Sequence, residues 1–214
     1  MNRLLSPDNP VMQFITRIVN AVYLNILWFV CSLPIFTIGA STTALYYVTL
    51  KMVKDEDGNL TKAFFHSFKE NFKQGTIIWL ILLGSGIILG FDGYVLYHMR
   101  FENAFWTICT AVFIVALVAY AIILMYIFPL LSRFNNTTRA MFKNSIMIGM
   151  RFLLCTVLMA VIYFVMTFII INIFTPAVIF GEGLCAFLCS FLLSNILLMC
   201  EEKTEGNVIP DETK

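Results

Sequence analysis

The sequence predicts an all-α fold: a polytopic membrane helix bundle of six transmembrane helices, with both termini cytoplasmic and five helices as the alternative. Three observations predict it. First, 60% of the 214 residues are apolar and 13% are charged, and mean hydropathy is +0.86. A soluble domain carries roughly 25% charged residues, and half that number cannot cover the surface of a soluble monomer of this size. Second, the chain holds several apolar stretches long enough to cross a hydrocarbon core of about 30 Å, which takes about 20 helical residues. Third, Lys and Arg cluster in alternate loops. An ordinary soluble enzyme and a disordered chain are excluded. Net charge is +1, so no nucleic-acid partner is implied.

The first apolar run starts near Val19, with Arg17, Asn20 and Asn25 interrupting its early part. No A-x-A site follows, so a cleavable signal peptide is not expected. Residues 12–53 fit either one long span ending near Ile38 or two helices bent at Pro34 and Gly39. Four clear spans follow: Thr76–Tyr97, Ala104–Leu131, Phe152–Phe174 and Pro176–Cys200. Six spans place thirteen basic residues on one side and one, Arg100, on the other; five place eleven against three. The positive-inside rule prefers six. The second helix, Gly39–Val53, is then only about 22 Å long. It also carries Ser41, Thr42 and Thr43. Such a helix is tolerated where neighbours surround it and its hydroxyls bond back to its own carbonyls. Residues 1–206 form one domain, and 207–214 a short polar tail.

The stretch Lys54–Gly75 is the most informative loop. Around a helix starting at Leu60, Phe64, Phe68, Phe72 and Phe65 fall between about 40° and 140°. Lys69, Lys62 and Lys73 fall between about 180° and 220°. An aromatic face beside a basic face suits a helix lying in the membrane interface, against lipid. It also suits a docking surface for a soluble partner. Asn59 or Thr61 caps its start. The second basic loop, 132–139, supplies Arg133 and Arg139. Thr137 or Thr138 caps a helix that runs through Met141, Phe142 and Ile146 into the fifth span. This loop is either a plain connector or a second half of the same docking face.

Asp92 is read as the one carboxylate inside a predicted span. It either pairs with Arg100 or His98 near the membrane edge or forms, with Asn20 and Asn25, a polar site open to an outward cavity. Interhelical hydrogen bonding is the default role of the intramembrane asparagines, Asn172 and Asn195 included. Gly86 and Gly90 form a GxxxG pair, and Ala186, Ser190 and Ser194 a small-residue stripe; both permit close helix approach. The six cysteines include no C-x-x-C and read as small apolar residues. Asp55–Asn59 lacks the Gly and Glu positions of a calcium loop. No phosphate loop, G-x-S-x-G or His-based metal pair is present. No enzyme activity, metal or cofactor is therefore expected.

The strings Asn25–Trp28 and Cys31–Tyr47 (CSLPIFTIGASTTALYY) resemble the YesL-like family of small polytopic bacterial membrane proteins. Ser67–Gln74 (SFKENFKQ) and Ser132–Thr137 (SRFNNT) do so as well. The resemblance implies a multi-pass protein of the cell membrane of Gram-positive bacteria. It also implies an association with carbohydrate ABC importers, as an accessory or permease-like subunit meeting an importer's permease or ATPase. It carries no catalytic residue across. The alternatives are a stand-alone small-solute transporter and a regulatory or structural membrane protein.

Overall fold

A computed structural model describes residues 10–54, 56, 58–99, 104–172 and 178–206. Among these residues the secondary structure is entirely helical: α1 (Pro10–Ser32), α2 (Ile38–Val53), α3 (Leu60–Met99), α4 (Ala104–Leu131), α5 (Thr138–Arg151), α6 (Leu153–Asn172) and α7 (Val178–Gly206). Five of them, α1, α3, α4, α6 and α7, are long and apolar enough to cross a membrane. Their surfaces agree with that medium: Leu154 is 76% exposed, Phe164 72% and Val115 69%. Water would penalise these side chains, whereas acyl chains do not.

Residues 12–53 resolve into two helices. Pro34 offers no N–H and disfavours the α conformation in the residue before it, so α1 stops at Ser32. A 3-10 turn, Ile35–Thr37, reverses the chain. The Thr37 hydroxyl lies 2.6 Å from the Cys31 carbonyl, an acceptor that the broken helix leaves open, and 2.6 Å from the Pro34 carbonyl, which also accepts from the Thr37 N–H at 2.8 Å. With 16 residues, α2 falls short of the five spanning helices in length. It is nonetheless the most enclosed element, buried continuously from Gly39 to Tyr46 among α1, α3, α4 and α7. Its hydroxyls bond back as the sequence requires: Thr43 donates to the Gly39 carbonyl at 2.8 Å, and Thr49 to the Leu45 carbonyl at 3.0 Å.

The antiparallel α2–α3 pair meets at Gly39 and Gly75, where a Cβ on Gly39 would run into the Gly75 carbonyl. Small residues are what allow this approach. The stripe on α7 acts likewise: Ala186 and Ser190 are fully buried, and the Ser190 hydroxyl meets that of Thr49 at 2.8 Å. The Gly86–Gly90 pair behaves differently from the expectation. Gly86 faces the ring of Tyr120, but Gly90 has no neighbour within 4 Å. Only one of the two glycines serves a helix contact.

The basic stretch 54–75 is not a separate interfacial helix. From Leu60 it runs without a break into the following span, giving one helix of 40 residues, about 60 Å long. Asn59 caps it, its Oδ1 accepting from the Lys62 N–H at 3.1 Å. The expected continuity of α5 with the fifth span fails at Phe152, whose backbone leaves the helical region at φ −112° and ψ 52°. Thr156 bridges the break, donating to the Gly149 carbonyl at 2.8 Å, while its hydroxyl also meets that of Tyr126 at 2.9 Å. Thr137 sits at the N-cap of α5 without a side-chain capping bond.

Candidate functional site

Three regions bear on function. The first is the basic face formed by α3 and α5. Lys69, Lys73 and Arg139 are exposed there. Gln74 on α3 donates its Nε2–H to the Asn136 carbonyl just before α5, at 2.7 Å. The two basic segments separated in sequence are thus tied at one place. The aromatic residues read from the wheel are divided. Phe64 is fully buried, packed edge-on to Phe65 and stacked with Phe68 at 6.4 Å. It belongs to the core and cannot form part of an outer docking face. Phe68 is half-buried, whereas Phe72 is exposed. Arg133 is also partly buried, and its Nε and Nη2 meet no partner among the described residues.

The second region surrounds Asp92. It lies in a cavity of about 530 Å³ between α3 and α4, with Val95, Leu96, Trp106, Cys109 and Phe113 among its neighbours. Asp92 itself is exposed. Asn20 and Asn25 are on α1, in another part of the bundle, so the three do not form one polar site. Asn25 is fully buried and accepts from the Gly183 N–H at 2.6 Å, joining α1 to α7. Asn20 is half-buried. Asn172 bonds within its own helix, to the Phe168 carbonyl at 3.1 Å. Arg100 lies outside the described residues, and His98 turns to the Tyr94 carbonyl at 2.9 Å.

The third region was passed over in reading the sequence. A cavity of about 380 Å³ opens where α1, α2, α3, α4, α6 and α7 converge, walled by Trp28, Tyr46, Trp79, Phe128, Tyr163 and Glu182. Its floor is α2, the element that every neighbour encloses. The Tyr46 and Tyr163 hydroxyls are 2.6 Å apart. The Trp28 indole donates to the Thr42 hydroxyl at 3.0 Å, and the Trp79 indole to the Ile35 carbonyl at 2.8 Å. Each aromatic polar group therefore has a partner, which fixes the rings. Glu182 has none: no hydrogen bond or ion pair reaches its carboxylate among the described residues. A signal was present in the sequence, because Glu182 falls inside the apolar stretch 176–200 and is a carboxylate within a span just as Asp92 is. An intramembrane carboxylate is costly enough to make its position a functional hypothesis by default.

No group of three His, Cys, Asp or Glu side chains could hold a metal among the described residues. The six cysteines are all free thiols.

Residues 21–93 match the family described as "Protein of unknown function, DUF624". The chain is similar to Uncharacterized protein YesL of Bacillus subtilis (strain 168), with 26% identity over 159 residues, which cover 72% of this chain and 74% of that protein. It is also similar to Uncharacterized protein YteU of the same organism, with 24% identity over 198 residues, covering 90% of this chain and 87% of that one. No solved structure matches it. These similarities support the YesL-like resemblance read from the sequence, three of whose four strings lie within the matched residues.

Proposed function

We propose that this YesL-like membrane chain is a non-enzymatic accessory or permease-like subunit of a carbohydrate ABC importer, and that it presents its α3–α5 basic face to the importer's cytoplasmic ATPase. The observation that carries the reading is the Gln74–Asn136 bond, which holds Lys69 and Lys73 beside the segment bearing Arg139. Exposed charges on two joined helices steer a partner of opposite sign and set its register more than they add raw affinity. The importer itself enters through the family resemblance. The charge asymmetry supports the matching topology: the enclosed α2 counts as a sixth, short span, and the termini, the 54–59 turn and the 132–137 turn share the cytoplasmic side of the cell membrane.

The test is gentle purification of the tagged protein from its own cells, with and without sugar induction. The expected result is recovery of importer subunits with the wild type. Recovery should drop several-fold in the Lys69→Glu, Lys73→Glu, Arg139→Glu triple variant, and binding should weaken with salt. Undiminished recovery in the triple variant would sink the docking face. Recovery of the chain alone under both conditions would favour a stand-alone small-solute transporter. The cavity around Glu182 is the observation that favours this second reading.

A further inference from the structure

We propose that the cavity around Glu182 is a binding site for a small organic cation, such as an amine or quaternary ammonium compound. The inference stands on the cavity alone and does not depend on the importer reading. Its volume of about 380 Å³ falls within the range of small-molecule sites. The unassigned chemistry is specific. Five aromatic side chains, Trp28, Tyr46, Trp79, Phe128 and Tyr163, share the wall with one carboxylate. Aromatic faces attract a cation through their quadrupoles, most strongly for Trp and in desolvated surroundings. The carboxylate supplies the compensating charge, and among the described residues nothing else engages it.

The hydrogen-bonding inventory separates this ligand class from a saccharide. A sugar presents many hydroxyls, each needing a partner once buried. Here both indole N–H groups are already committed, to Thr42 and to the Ile35 carbonyl. The two tyrosine hydroxyls share one hydrogen bond, which commits one of their two O–H groups. What remains for a ligand is mainly ring faces, one acceptor-only carboxylate and a few hydroxyl hydrogens, that of Thr42 among them. An onium group needs these and little more, because it carries charge without demanding an array of donors and acceptors. The committed donors also hold the rings in place, so the site is formed before a ligand arrives and little ordering is left to oppose binding.

The cavity contains its own reporters. The chain has three tryptophans; Trp28 and Trp79 line this cavity, and Trp106 lines the one beside Asp92. The full-length protein in lipid nanodiscs is titrated with choline and, separately, with its neutral isostere 3,3-dimethylbutan-1-ol, following tryptophan fluorescence. The expected result is a saturable change with choline and none with the isostere at equal concentration. It should persist in Trp106→Phe, which places it away from the Asp92 cavity. In Glu182→Gln, which keeps shape and removes charge, apparent affinity should fall at least about tenfold. The proposal is overturned by each of the following results. One is equal responses to choline and the isostere, as an apolar or lipid-filled pocket would give. Another is loss of the response in Trp106→Phe, and the third is unchanged affinity in Glu182→Gln. The comparison of choline with its isostere uses the wild type, so it decides the matter even if Glu182→Gln does not fold. Absence of a saturable choline response, with a saturable response to methyl glucoside, overturns it in favour of a saccharide.

Discussion

The contact between α2 and α3 predicts a steep response to one methyl group. Adding a Cβ to Gly39 places it against the Gly75 carbonyl and 2.7 Å from the Trp79 Cβ, where ordinary contact begins at 3.4 Å. Neither obstacle is a side-chain end that can swing aside. The two helices must therefore part by well over half an ångström, and α2 is buried on its other sides as well, so the displacement has nowhere to go. Overpacking of this kind costs about 1–3 kcal/mol. Ala is the better helix former by about 0.5–1 kcal/mol, which offsets a part. Gly39→Ala should then lose about 1 kcal/mol, or about 2–4 °C in thermal midpoint for a chain of this size. Gly75→Ala, whose Cβ would meet the Ala40 Cα at 3.0 Å, should lose less. Gly90→Ala is the control: nothing lies within 4 Å of the added carbon, so it should be neutral or gain up to about 1 kcal/mol. The assay is thermal unfolding in one mild detergent, followed by near-UV circular dichroism and size-exclusion recovery. If Gly39→Ala melted with the wild type while Gly90→Ala melted lower, the 86–90 glycine pair would be the packing contact, and the argument from Gly39 and Gly75 would be refuted.

Other outcomes follow from the same packing. Phe64→Ala empties a fully buried position and should cost about 3–5 kcal/mol, whereas Phe72→Ala on the exposed face should stay within about 0.5 kcal/mol; equal losses in a denaturation series would show that both rings share one environment. Asn25→Leu removes the acceptor of the buried Gly183 N–H and should destabilise by about 1–3 kcal/mol; a melt unchanged from the wild type would mean that α1 and α7 are held by other contacts. Thr49→Val breaks the hydroxyl pair with Ser190 at a cost of about 0.6 kcal/mol, a typical interhelical value in membranes, best read in a double-mutant cycle with Ser190→Ala. Cys185 and Cys189 are buried, so maleimide should label them far more slowly than the half-exposed Cys109 before unfolding, and mass spectrometry would expose any reversal of that order.

The sequence by itself determined the medium and part of the segmentation. Hydropathy sums over local residues, so the membrane class and the bounds of α4 at Ala104 and Leu131 emerged without knowledge of any neighbour. The break at Pro34 and the cap at Asn59 were legible for the same reason: both are settled by a residue's own backbone and its nearest amides. Tertiary structure decided which faces turn inward. Lipid and protein core are equally apolar, so the pattern on α4 or α6 cannot tell one from the other, and a wheel at Leu60 cannot tell that Phe64 enters the core while Phe72 stays outside. The same degeneracy hid the glycine contact, because spacing favoured Gly86 and Gly90, while the pair that meets, Gly39 and Gly75, sits on different helices. Glu182 was visible as a carboxylate in a span. What surrounds it, five aromatic rings drawn from five other helices, exists only once the chain has brought α1, α2, α3, α4 and α6 together around the start of α7.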